Sequence, residues 1–186
     1  MRSNDYTIKD LMIPISEYAT VSEDATLFEA VLSLEKAQAE FDQTRYRHRA
    51  VLVLDAQENV VGKIGQLDAL RALEPKYEEM QAGDTLARLG FSRKFMKSMM
   101  AHYNLFDRPL KEICKTAAAA KVKDFMHTLT EGEFVEENAT LDEAIHQLVL
   151  GHHQSLLVTR DKGIIGILRL TDVFAAIFHT MKECFV

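Results

Sequence analysis

The chain repeats itself, and that constrains its fold more than any other feature. Residues 8–31 read IKDLMIPISEYATVSEDATLFEAV and return 114 positions later as VKDFMHTLTEGEFVEENATLDEAI at 122–145, with 11 of 24 positions identical. Farther along, the offset shortens to 104, so that Gly62 faces Gly166 and Asp68 faces Asp172. The first copy therefore carries ten extra residues, placed between Leu34 and His48. The reading is of one unit near 8–73, a joining segment over 74–121 and a second unit near 122–180. A unit this short buries little by itself, so the two copies are expected to pack sheet to sheet around a pseudo-two-fold axis.

Within each copy the elements are readable. Thr26-Leu27-Phe28-Glu29 and Thr140-Leu141-Asp142-Glu143 match the capping box, in which the Thr hydroxyl and the Glu carboxylate each take a free backbone donor. Leu27, Ala30, Val31, Leu34 and Ala37 then recur at helical spacing, as do Leu141, Ala144, Ile145 and Leu148. Two apolar runs follow in each copy: Ala50 to Leu54 and Val60 to Ile64, then Ser155 to Val158 and Ile164 to Leu168. Short strands are expected at Thr20-Val21 and Phe134-Val135, and closing helices at Asp68 and Asp172, both N-cap residue types. The unit is βαββα and the fold class α/β (α+β), with a helical linker between the repeats. Leu86 to Leu89, Phe95 to Met100 and a segment started by Pro109 predict two or three short helices there. Met96, Met99 and Met100 suit core or dimer contact, or an adaptable partner surface.

Composition removes whole classes. With 22 Lys+Arg against 28 Asp+Glu the chain of 186 residues has a net charge of −6, so no global basic field for nucleic acid exists. The longest apolar run, Val173 to Phe178, is far too short for a membrane helix, and the polar start Met1 to Asp5 does not read as a signal peptide. Cys114 and Cys184 match no metal or redox spacing and are expected to be buried or half-buried thiols of a cytoplasmic protein. His146, His152 and His153 have no Cys or acidic partner at ligand spacing, so no metal site is expected. No arrangement of catalytic residues stands out, and no enzyme is expected. One local exception to the acidic balance is the insertion, where Arg45, Tyr46, Arg47, His48 and Arg49 form a basic cluster. It reads either as the solvated end of a lengthened helix or as a phosphate-facing lip.

The repeated Lys-Asp-x-Met segments (9–12 and 123–126), the Ala-Thr-Leu-x-Glu-Ala boxes (25–30 and 139–144) and the Gly-x-x-x-x-x-Asp stretches (62–68 and 166–172) resemble the cystathionine-beta-synthase (CBS) domain. A tandem pair is similar to a Bateman module. The resemblance implies a stand-alone regulatory module that takes AMP, ADP, ATP or S-adenosylmethionine as a regulatory ligand between the repeats, with no obligatory cofactor. It also implies a homodimer and an unidentified protein partner. The family's Asp accepts from ribose hydroxyls, and a Ser or Thr three residues earlier donates toward phosphate. Asp68 and Asp172 match; Gly65 and Arg169 stand at the hydroxyl position, with Thr171 one residue before the Asp. Arg169 can offer a charged fork to phosphate. Helix N-termini also present free N–H groups, so each Asp serves either as a cap alone or as a cap that also meets ribose. Further expected lining is Thr20, Val21, His48 and Arg49 in the first copy and Phe134, Val135, His152 and His153 in the second. Phe134 either stacks on a base or packs in the core. The alternative reading is an interaction or dimerisation scaffold whose nucleotide sites have degenerated.

Overall fold

The structure is a computed structural model and describes residues 6–41, 44–77 and 92–184. The first repeat runs α1 (Ile8–Leu11), β1 (Ile13–Pro14), β2 (Thr20–Ser22), α2 (Leu27–Glu40), β3 (Ala50–Leu54), β4 (Val60–Gly65) and α3 (Gln66–Arg71). The joining segment supplies α4 (Arg93–His102) and α5 (Leu110–Ala118). The second repeat runs α6 (Val122–Phe125), β5 (His127–Thr128), β6 (Phe134–Glu136), α7 (Leu141–Leu150), β7 (Ser155–Arg160), β8 (Gly163–Arg169) and α8 (Leu170–Cys184).

Both capping boxes form. Glu29 accepts from the Thr26 N–H at 2.7 Å and Glu143 from that of Thr140 at 2.9 Å, while each Thr hydroxyl accepts from the Glu N–H. The expected turn at 55–59 is held by the Asp55 carboxylate, which accepts from the N–H groups of Gln57 and Asn59, each at 2.8 Å. The closing helices differ from expectation. They begin at Gln66 and Leu170, so Asp68 and Asp172 occupy the third position rather than the cap. Gly65 is the N-cap of α3, and its N–H donates to Asp68 at 2.8 Å.

The sheets exchange strands. One is ordered β2-β3-β4-β5 and the other β1-β8-β7-β6, so each four-stranded sheet takes an edge from the other repeat. β1 lies antiparallel to β8, and β5 antiparallel to β4. Between the sheets, buried Leu52, Leu157, Ile167 and Ile13 form a shared core with Tyr18 and Phe41. Separate cores lie under the helices, around Leu156, Val158, Leu168 and Ala144 in the second repeat and around Val53, Ile64, Ala30 and Val122 in the first. The expected packing of the copies sheet to sheet is thus realised, locked by a reciprocal exchange.

The ten extra residues divide between helix and loop. α2 has 14 residues against 10 in α7, and the rest, with Phe41 and residues 44–49 described, lead into β3. In the joining segment α4 and α5 match expectation, with Pro109 at the N-cap of α5; Leu86 to Leu89 lie outside the described residues. Ile113 and Ala117 bury one face of α5, but α4 has no buried residue, and Met96 and Met100 are exposed. These methionines are therefore not core. Cys114 and Cys184 are exposed, contrary to expectation. Cys114 follows the buried Ile113 and so turns off the packed face of α5, and Cys184 ends α8. Among the described residues, no helix is long and apolar enough to cross a membrane.

Candidate functional site

The ends of β4 and β8 and the starts of β3 and β7 lie side by side where the repeats meet, leaving a cleft of about 460 Å³. Its walls come from both copies. The first repeat contributes Tyr18, Arg47, Arg49, Lys63, Gly65 and Asp68; the second contributes His127, Glu133, His152, His153, Ser155, Arg169 and Thr171. Of the residues picked out by sequence, the cleft gathers Arg49, Gly65, Asp68, His152, His153, Arg169 and Thr171.

The remaining ones lie elsewhere. Thr20 is in β2, where its carbonyl accepts from the Ser33 hydroxyl at 2.8 Å. Val21 packs on the first-repeat core, Val135 is inside the second-repeat core, and Phe134 packs on the core between the sheets. His48 and Asp172 are buried behind the wall.

On the open side, Asp68 is still reachable, with 16% of its side chain exposed. Its second oxygen lies 3.4 Å from Arg71 at the surface. α3 has only six residues, so its backbone end carries little of the macrodipole of a long helix. Positive charge in the cleft comes instead from side chains: Arg47 and Arg49 are exposed, and Lys63 stands on the same wall in its ion pair with Glu133.

One wall is fixed by Glu133, which is 1% exposed. Burial would raise its carboxyl, but Lys63, His127 and Thr130 outweigh this and hold it at about 2. Lys63 forms an ion pair with it, His127 Nε2 lies at 2.7 Å, and the Thr130 N–H donates at 3.0 Å. Glu133 is thus an anchor that orients Lys63 and His127 at the cleft rim. Burial pushes the Tyr18 hydroxyl up to about 12, keeping it a neutral donor. Sequence reasoning missed Tyr18, His127 and Glu133, because the 3₁₀ turns Ile15–Glu17 and Glu131–Glu133 and the exchanged strand β5 carry no apolar periodicity; Lys63 lies in the legible strand β4, but its cleft-facing side was not read.

On the closed side, Arg169 and Asp172 form a two-pronged ion pair, with Nη2 donating at 2.8 Å and Nε to the other oxygen. Arg45 lies 3.3 Å from the same carboxylate and donates to the Leu11 carbonyl at 3.1 Å. The Arg169 Nη1 donates to the Tyr46 carbonyl at 2.7 Å. Phe41 has the guanidinium carbons of both Arg45 and Arg169 at 5.4 Å from its ring centre. His48 packs against Tyr18 and Phe41, with ring centres 4.4 and 4.2 Å away. Among the described residues, no group of three His, Cys, Asp or Glu side chains could hold a metal ion.

A sequence model described as the CBS domain matches residues 8–75 and 122–179. Solved structures with the same fold include a CBS-domain containing protein from Agrobacterium tumefaciens, at 17% identity and a TM-score of 0.58, covering 95% of this chain and 97% of that one. The CBS-pair protein CBSX2 from Arabidopsis thaliana matches at 17% identity and a TM-score of 0.58, covering 96% of this chain and 99% of that one. A structure of CBSX2 in complex with AMP matches at 20% identity and a TM-score of 0.57, covering 95% and 98%. No curated protein sequence matches the chain.

Proposed function

The chain belongs to the CBS domain family, and from this premise we propose that it is a regulatory module, not an enzyme, that binds an adenine nucleotide in the cleft between its repeats. The observation that carries this reading is the concentration of Arg47, Arg49 and Lys63 around a reachable Asp68, in a chain whose net charge is −6. Cations on the wall suit phosphate and a carboxylate suits ribose hydroxyls. The AMP complex of CBSX2 supports the ligand class. Because both repeats line the cleft, a ligand bound there favours whichever arrangement of the repeats it fits best, and so biases the surfaces outside.

Calorimetry with AMP, ADP, ATP and S-adenosylmethionine tests the reading. A nucleotide is expected to bind, and Arg47→Ala with Arg49→Ala to weaken it about tenfold or more, the scale of one or two charge-assisted hydrogen bonds. Absence of heat and of any thermal shift at millimolar nucleotide would reject it. The filled position behind Arg169 and the exposed apolar side chains of α8 favour a second reading, an interaction scaffold. That reading predicts partner capture that is indifferent to nucleotide.

A further inference from the structure

The two repeats present the same position in opposite states. In the first, Gly65 and Asp68 face the open cleft. In the second, the equivalent Arg169 reaches the cleft wall but is only 4% exposed, and Asp172 behind it is 6% exposed, the two covered by Phe41 and by Arg45, Tyr46 and His48. Phe41, Arg45 and Tyr46 come from the stretch by which the first repeat exceeds the second, and His48, the counterpart of His152, stands at its end.

What these residues supply is what a bound nucleotide phosphate and ring would otherwise meet or displace. A cation engages the Asp172 carboxylate, a carbonyl oxygen takes an N–H of Arg169, and an aromatic ring lies against its guanidinium. Arg47 between them and Arg49 just after do the reverse: they leave the closed cluster and line the open cleft. We propose that Phe41 and residues 44–49 are a built-in occupant of the second repeat's ligand position. The pair then takes one anionic ligand per chain, at the first repeat's position, against Arg47 and Arg49 of the same stretch. The occupant stands on the contacts alone; the stoichiometry rests on the nucleotide reading above.

The experiment has two arms. Without ligand, a double-mutant cycle between Arg45→Ala and Asp172→Asn is read by thermal unfolding. Asp172→Asn leaves two arginines without their counter-charge, and is expected to lower the melting temperature by about 5–10 °C. The loss should shrink once Arg45 is already absent. Additive losses would overturn the occupant, whatever binds elsewhere. The second arm is calorimetry with ATP on the full chain. One ATP per chain is expected for the parent, and a second for the variant carrying Phe41→Ala with Arg45→Ala. Where that variant does not fold, Arg45→Gln alone carries the same expectation. Two ATP bound to the parent would overturn the proposal, as would one ATP bound to the folded variant. No binding to any form would instead reject the nucleotide reading, leaving the cycle to decide the occupant.

Discussion

His48 stands among groups that oppose its protonation. Burial and the Arg169 charge lower its pKa most; Asp172 favours the proton and Arg45 opposes it, with the neutral Tyr18 against its ring. The balance brings it from 6.5 to about 4. Below pH 6.5 an unfolded chain takes up this proton and the folded one does not. Stability is therefore level above that pH and falls as pH drops from 6.5 toward 4, by on the order of 3 kcal/mol in full. Glu133 has the opposite chemistry but the same acid sensitivity. Its carboxyl is held at about 2 against an ordinary 4.5, so its contribution is lost only as pH falls through the range between those values. Melting temperature measured against pH should thus decline in two stages, and His48→Gln should flatten the upper stage while leaving the lower one. A flat profile between pH 6.5 and 4.5 in the parent chain would contradict the burial of His48. That the insertion is basic and near a cleft was legible in the sequence. Which of its residues turn inward was not, because burial of His48 depends on Phe41 and Tyr18, neighbours in space alone.

At the scale of elements, the repeated glycines have a packing reason. Gly62 in β4 pairs with Thr128, and a Cβ on it would fall 2.6 Å from the Met126 sulfur and 3.0 Å from the His127 carbonyl. Gly166 in β8 pairs with Pro14, and a Cβ there would fall 2.7 Å from the Ile13 carbonyl. Each glycine admits the strand that crosses from the other repeat. Gly166→Ala is expected to cost about 1–3 kcal/mol in denaturant unfolding, since backbone must move. Gly132→Ala, whose Cβ would meet only the His153 ring at 3.6 Å, should be nearly neutral. Equal losses at the two sites would remove the strand-exchange explanation. Sequence reasoning found β3, β4, β7 and β8 from their apolar runs, and α2 and α7 from caps and helical spacing. It did not find β1 and β5, although both fall inside the 114-offset match. Two-residue strands carry no alternation, and their partners lie in the other copy.

At the scale of the molecule, the repeat brings apolar side chains outward as well as inward. Leu70 on α3 and Phe174 on α8 are equivalent under the offset of 104, and they are 59% and 61% exposed. Phe174 stacks on the exposed Phe178, and Met181 continues the same helix. Apolar groups of this size at matching places on both repeats leave an incomplete surface in a single chain. A second copy, presenting the same pair of helices in reverse, would meet like with like and close it. The acidic total does not oppose this, because the exposed side chains concerned are uncharged. Dimerisation is therefore expected in sedimentation at micromolar concentration. Phe174→Glu should give a monomer with unchanged far-ultraviolet dichroism, since the residue is outside the cores. A parent chain that sediments as a monomer would leave these helices to a different partner. An unaltered dimer in the Phe174→Glu variant would place the contact away from α8. In the first repeat the cleft residue Asp68 and the exposed Leu70 stand two positions apart on α3, so the cleft and the apolar surface share one short helix. A ligand that shifts one repeat against the other must then also shift the relation between Leu70 and Phe174, which is how occupancy of the cleft would reach the dimer.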